Sequence, residues 1–299
     1  MIIGSISEDK GLEKRISITP DIIKKYISQG FKVLIEKDYG THLGFSNDAY
    51  IEEGCEIENK ENVFKKSDII LQLNLPDEKN LQIIRENKSL IGVFNLYQNK
   101  EKLIGLANKK INTFSLELLP RIARAQSMDI LSSQSNLAGY KAVIDSFANF
   151  TKAIPMMMTA AGTVPAAKVL VVGAGVAGLQ AIATAKRMGA IVFATDVRMT
   201  SKEQVESLGG KFLTVEGSEN LETEGGYAKE ASDDFKKKQE ELLTETLKKI
   251  DIVICTALIP GKKAPLIIKD TMIHNMRSGS VVYDLAASQG GNSAYTKVN

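Results

Sequence analysis

The sequence predicts an α/β chain of two parallel-sheet domains with a cleft between them, and three observations carry that prediction. Short apolar runs alternate with helical stretches almost from the first residue, the pattern of βαβ units. A nearly all-apolar run, Lys168-Val-Leu-Val-Val172, leads into a glycine-rich turn and then a helical stretch. Between the halves, residues 127–154 change character, beginning polar and becoming helical. A length of 299 residues suits two domains of ordinary size, drawn at 1–135 and 136–299.

Residues 1–6 read as the first strand. Thr19-Pro20 then supplies an N-cap and a proline at the first helical position, and Gly30 ends that helix where a left-handed residue is wanted. A strand follows at 31–35, a short helix at 47–53 closed by Gly54, and strands at 68–73, 89–94 and 111–116. The crossing segment carries a helix over 137–150, with Tyr140, Ile144 and Phe147 on one face. In the second half, strands fall at 168–172, 191–195, 211–215, 251–257 and 280–285, with a helix over 176–188. Residues 232–250 form an amphipathic helix through Phe235, Leu242, Leu243, Leu247 and Ile250.

Composition narrows the function. The 38 Lys+Arg against 36 Asp+Glu leave +2, without the basic excess that nucleic-acid binding calls for. At 43% hydrophobic and 25% charged, the composition is that of a globular chain with real cores. No apolar stretch approaches the ~20 residues that cross a bilayer, so no transmembrane segment is expected, and the amino terminus does not resemble a signal peptide. The two cysteines, Cys55 and Cys255, have no metal spacing; they read as buried, inert thiols in a reducing cytoplasm.

Gly173-Ala-Gly175-Val-Ala-Gly178 stands between a strand and a helix, the context that turns a glycine pattern into a phosphate-binding turn. Gly173 permits the tight turn, Gly175 the approach of a pyrophosphate, and Gly178 close packing of helix on strand. The helix N-terminus adds N–H groups and partial positive charge. Asp196 ends the next strand, 18 positions after Gly178, where a carboxylate accepts hydrogen bonds from ribose hydroxyls and repels a 2′-phosphate. This Rossmann-like arrangement predicts NAD(H). Arg198 pulls the other way, being the residue type that binds a 2′-phosphate, and Asp196 also reads as a loop-capping carboxylate.

Two segments stay open on residues alone. Residues 120–136 (PRIARAQSMDILSSQSN) gather Arg121, Arg124, Gln126, Asp129 and Ser132 just before the crossing, either as a polar hinge or as the wall of a ligand cleft. Residues 220–231 are polar, with Gly225-Gly226 and the one large apolar group Tyr227, either as a solvated loop or as a mobile lid.

The 120–136 segment closely resembles the signature loop of the NAD(H)-binding component of proton-translocating NAD(P) transhydrogenase. The similarity continues through 136–144 (NLAGYKAVI), 156–165 (MMMTAAGTVP), the glycine turn, 202–210 (KEQVESLGG), 226–230 (GYAKE), 256–262 (TALIPGK) and 284–286 (DLA). By that resemblance, Gln126, Asp129 and Ser132 line the nicotinamide end of the site as its catalytic set. Arg121, Ile122, Ala123 and Arg124 contact NAD, as do Val176 in the turn and Asp196, Val197 and Arg198 at the ribose. Gly226 and Tyr227 belong to a loop folding over the nucleotide. The resemblance also implies NADP(H) on a partner domain, membrane-spanning partner subunits that couple hydride exchange to proton flow, a homodimer, and a cytoplasmic position on the membrane face. The family's component continues past the equivalent of Asn299 through elements that complete the first domain. The chain therefore reads as a fragment, a split gene product, or a non-catalytic NAD-binding remnant.

The rival is the related alanine dehydrogenase, whose chemistry needs a proton-handling group and a carboxylate clamp. Its Lys-x-Lys-x-Pro stretch is Gln72-Leu-Asn74-Leu-Pro76 here, and its catalytic histidine falls near Tyr97. Arg15 reads as a structural remnant of the clamp. His42 and His274 match neither position. Met156-Met157-Met158 reads as flexible packing at the domain crossing, and Ser132, Ser133 and Ser135 lack the histidine a hydrolase needs.

Overall fold

The computed structural model describes residues 1–120, 122–215, 232–259 and 261–298, and the chain divides into two compact units, Met1–Ile130 and Leu131–Asn299.

The first unit strings β1 (Ile2–Ser5), α1 (Pro20–Ser28), β2 (Lys32–Glu36), α2 (Asn47–Glu52), β3 (Glu56–Glu58), α3 (Lys60–Lys66), β4 (Ile69–Leu71), α4 (Glu78–Ile83), β5 (Ser89–Gly92), α5 (Leu96–Asn108) and β6 (Asn112–Ser115). Its strands form one parallel sheet in the order β3-β2-β1-β4-β5-β6. The pleat sends alternate residues to opposite faces. Ile3, Val33 and Ile35 pack with Ile23 and Tyr50 on one side. Leu34, Ile70 and Leu90 pack with Val63, Phe64, Leu81, Leu103 and Leu106 on the other. Pro20 opens α1 and Gly30 follows it at φ +85°, the left-handed exit its position predicts. β3 escapes the sequence reading because Glu-Ile-Glu at a sheet edge has too little apolar content to signal a strand.

The second unit contains α6 (Ile130–Asn149, starting at the boundary), the hairpin β7 (Met157–Thr159) and β8 (Gly162–Val164), then β9 (Lys168–Val172), α7 (Val176–Arg187), β10 (Ile191–Thr195), α8 (Ser201–Ser207), β11 (Lys211–Phe212), α9 (Asp233–Leu247), β12 (Ile252–Cys255), α10 (Asp270–His274) and β13 (Val281–Asp284). The five strands after the hairpin form a parallel sheet, β11-β10-β9-β12-β13. Val169 and Val171 face a core shared with Val192, Ile252, Ile254 and side chains of α6 and α7. Leu170 and Val172 face Val253, Leu243, Leu247 and Met272 on the opposite side. Burial on both faces is why this sheet reads as continuous apolar runs.

Two expectations are corrected here. The crossing helix starts at Ile130, seven residues before the expected 137. Its serines and asparagine are ordinary residues for a solvated helical turn, so their polarity carried no loop signal. Its buried face is Gly139, Ala142, Val143, Ser146 and Phe147, and Tyr140 is 49% exposed. Small residues define that face because a Cβ on Gly139 would lie 2.1 Å from the Ala177 carbonyl oxygen. The three methionines are not core filler: Met156, Met157 and Met158 are exposed, the last two in β7. Among the described residues no helix is long and apolar enough to cross a membrane.

Candidate functional site

Both sheets start with a strand that ends up in the middle, extend to one side, then cross back to the other. The gap at the carboxyl ends of the two strands flanking that reversal is where open α/β sheets bind ligands. In the second unit those strands are β9 and β12.

The glycine turn grows out of β9. Gly173 sits at φ +93°, a left-handed conformation that glycine adopts at no steric cost, and its N–H donates to the Thr195 carbonyl at 2.8 Å. Gly178 lies one helical turn later, where an added Cβ would stand 1.9 Å from the Gly173 oxygen. Only a hydrogen fits between helix and turn there. Gly175 is different: it caps α7 in extended conformation, φ −76°, and a Cβ there meets nothing within 4 Å. The chain thus keeps a bare, open backbone position at the head of α7, where the first helical N–H groups have no intrahelical acceptor. Val176, the first residue of α7, is 38% exposed beside it. That cradle fits a pyrophosphate.

The facing wall comes from the end of β12. Thr256 Oγ1 donates to the Gly173 oxygen at 2.8 Å, tying the two strand ends together. Ala257 is gripped by the buried amide of Asn292: its N–H donates to Asn292 Oδ1 at 3.0 Å, and Asn292 Nδ2 donates to its carbonyl and to that of Pro265, each at 2.9 Å. Asp284, at the end of β13, accepts from the N–H groups of Ala286, Asn292 and Ser293. These residues set the position of the wall. Asn292 went unmarked in the sequence; its one signal was an asparagine directly after Gly290-Gly291, a pair that bends the chain back at positive φ.

Asp196 follows β10, its carboxylate 6% exposed. Oδ2 accepts from the Ala174 N–H at 2.7 Å, so the carboxylate also braces the glycine turn, as the capping alternative anticipated. The Arg198 guanidinium forks onto both oxygens, Nε to Oδ1 at 2.9 Å and a terminal nitrogen to Oδ2 at 2.8 Å, and the Arg198 N–H adds a third contact. A bidentate arginine is a strong partner for a carboxylate. Ribose hydroxyls reaching Asp196 must share it with Arg198. Val197 is half-buried between them.

The remaining expected residues lie around the junction of the units. Ile122 precedes, and Ala123–Met128 form, a 3-10 turn. Ala125 is buried as its anchor while Ile122, Ala123, Arg124 and Gln126 are exposed. Asp129 follows, its N–H donating to the Gln126 carbonyl at 3.2 Å, and Ser132 sits in the first turn of α6, half-buried. Arg121, Gly226 and Tyr227, with the whole expected loop at 220–231, lie outside the described residues. The described chain resumes at Ser232, the N-cap of α9.

In the first unit, Arg15 forks onto the Glu13 carboxylate at 2.9 and 2.7 Å, an ion pair that pulls the Glu13 carboxyl below its usual range. Tyr97 is 69% exposed. His42 hydrogen-bonds the Lys14 carbonyl and His274 the Asp270 carbonyl, both on the surface. Both thiols are buried; burial pushes Cys55 up to about 12 and raises Cys255 as well.

Comparison with known proteins places this architecture. The alanine dehydrogenase/PNT N-terminal domain matches residues 4–138 and the corresponding C-terminal domain matches residues 142–299. An NAD(P) transhydrogenase subunit alpha from Rhodospirillum rubrum is 49% identical over 302 residues, covering 98% of this chain and 78% of that protein. The crystal structure of transhydrogenase from Sinorhizobium meliloti superimposes with a TM-score of 0.87 at 42% identity, over 99% of this chain and 81% of that one. Alanine dehydrogenase of Methanococcus maripaludis is more distant, 27% identical over 97% of this chain and 73% of that protein. The chain belongs to the alanine dehydrogenase/PNT family and, within it, to the NAD(P) transhydrogenase alpha subunits.

Proposed function

We propose that this chain is the NAD(H)-binding component of a proton-translocating transhydrogenase, holding NADH for direct hydride transfer to NADP⁺ on a partner domain. The observation that carries the reading is the open backbone at Gly175, at the head of α7 and beside the Asp196 carboxylate, in a chain of this family. Gly173, Gly175, Val176 and Gly178 hold the pyrophosphate on main-chain N–H groups. Asp196, Val197 and Arg198 hold the adenosine ribose. Arg121, Ile122, Ala123 and Arg124 contact the nucleotide, and Gly226 and Tyr227 close over it.

When bound, the dihydronicotinamide supplies the hydride, and hydride exchange between two nicotinamides needs no acid or base from the protein. It needs the rings held at about 3–3.5 Å with water kept out. Gln126, Asp129 and Ser132 carry the amide, carboxylate and hydroxyl groups that orient a carboxamide and ribose without moving a proton. Membrane-spanning partner subunits couple the exchange to proton flow, which sets this component against the cytoplasmic face of the membrane, as a homodimer.

The test mixes the chain with NADH and a purified NADP(H)-binding partner domain, and follows hydride appearing on NADP⁺. Transfer that depends on both proteins supports the reading. Reduction of pyruvate in the presence of ammonium by this chain alone sinks it. Gln126→Ala or Asp129→Ala should slow the exchange at least about tenfold while changing NADH affinity much less.

A further inference from the structure

The first sheet has its own point of reversal, between β1 and β4, and it is built around a carboxylate. Glu8 follows β1 and points at the end of β4. Its Oε1 accepts from the successive N–H groups of Leu73 at 2.7 Å and Asn74 at 3.3 Å, and from Gln72 Nε2 at 3.2 Å. Its Oε2 accepts from Asn74 Nδ2 at 3.3 Å. Consecutive main-chain N–H groups aimed at one point form an anion-binding concavity. The Gln72 donor is fixed in place: the side chain is 4% exposed, and its Oε1 accepts the Ile6 N–H at 2.9 Å, which turns Nε2 toward Glu8. Arg15 adds a cation close enough to interact with the Glu8 charge.

We propose that the reversal point of the first sheet is a carboxylate receptor filled in cis by Glu8, and that it takes up a free small monocarboxylate once the Glu8 side chain is removed. Donors from three consecutive residues, 72–74, make the receptor; Glu8 supplies the ligand from the neighbouring strand end. A free carboxylate competes with a tethered one and loses to its local concentration. The receptor lies in the first unit and is independent of the nucleotide reading.

The experiment is thermal unfolding of the full chain with Glu8→Ala in sodium acetate, sodium chloride and sodium sulfate at equal ionic strength. Glu8→Ser serves if the alanine chain does not fold in any of the three salts. Acetate should raise Tm by about 3 °C over chloride at half-molar concentration in the variant, following ligand linkage. The wild type and Glu8→Gln, which keeps an oxygen on Leu73 and Asn74, should show no such difference. A folded variant indifferent to acetate overturns the proposal. So does equal stabilisation by sulfate or chloride, which signals general anion screening, and so does failure of both variants to fold in acetate.

Discussion

The two sheets share one strand order, with the first strand in the middle and the chain crossing back past it, yet their reversal points are finished in opposite ways. At β9 and β12 the chain removes side chains: Gly173, Gly175 and Gly178 leave main-chain N–H groups facing open space. At β1 and β4 it supplies one: Glu8 covers the N–H groups of Leu73 and Asn74. The backbone offers donors in both places, because strand ends leave N–H groups unpaired. What differs is who satisfies them. Fold alone therefore does not locate the ligand site; the residue standing over the donors does.

The largest effect that sharpens this contrast is Gly178→Ala. A Cβ placed 1.9 Å from the Gly173 oxygen has backbone on both sides and no flexible neighbour to move. The substitution should destabilise the second unit by about 2–3 kcal/mol in urea unfolding and abolish NADH binding. A stable variant would mean that α7 does not pack on the turn as described.

Next is Asp196→Ala. Losing the brace on Ala174 and the ribose acceptor should weaken NADH binding about 10- to 100-fold. It also releases Arg198, so NADPH affinity should rise, and adding Arg198→Ala should remove that gain. Unchanged preference between the two nucleotides takes Asp196 out of the ribose site.

The smallest effect belongs to the closed reversal point. Burial holds the Glu8 carboxyl above its ordinary value of 4.5 despite the N–H donors around it. Folded chains then bind its proton more tightly than unfolded ones. Its stabilisation is full below 4.5 and is lost as pH rises through the higher folded value. Glu13 and Asp68, pulled down by hydrogen bonds from Arg15 and Lys88, act with the opposite sign. Comparing Tm of Glu8→Gln with wild type over about pH 4 to 7 isolates Glu8: the variant should lack the fall. Parallel curves would mean that Glu8 titrates normally.

The α/β class, the fully buried strands and the glycine turn were legible because each depends on local pattern: apolar runs, Gly and Pro at fixed offsets. The start of α6 was not, since Ser132 through Asn136 on a solvated turn look the same in a loop. Nor was the exposure of Met156–158, because a short hairpin pairs its strands through backbone whatever side chains it carries. At the site, Gly173, Gly175, Gly178 and Asp196 were marked by spacing. The Arg198 fork was foreseen only as a competing residue type. Asn292 and Glu8 act across long stretches of chain, 35 and about 65 residues from their partners, and no periodicity in the sequence records such contacts.

Gly175→Ala tests the central claim most directly. Its φ of −76° suits any residue and the added methyl meets nothing within 4 Å, so folding should be untouched. The chain contains no tryptophan, which leaves NADH fluorescence easy to follow in titration. The wild type should saturate with NADH, and Gly175→Ala should bind at least about tenfold more weakly at unchanged Tm. Equal affinity in the two would place the nucleotide somewhere other than the open end of β9.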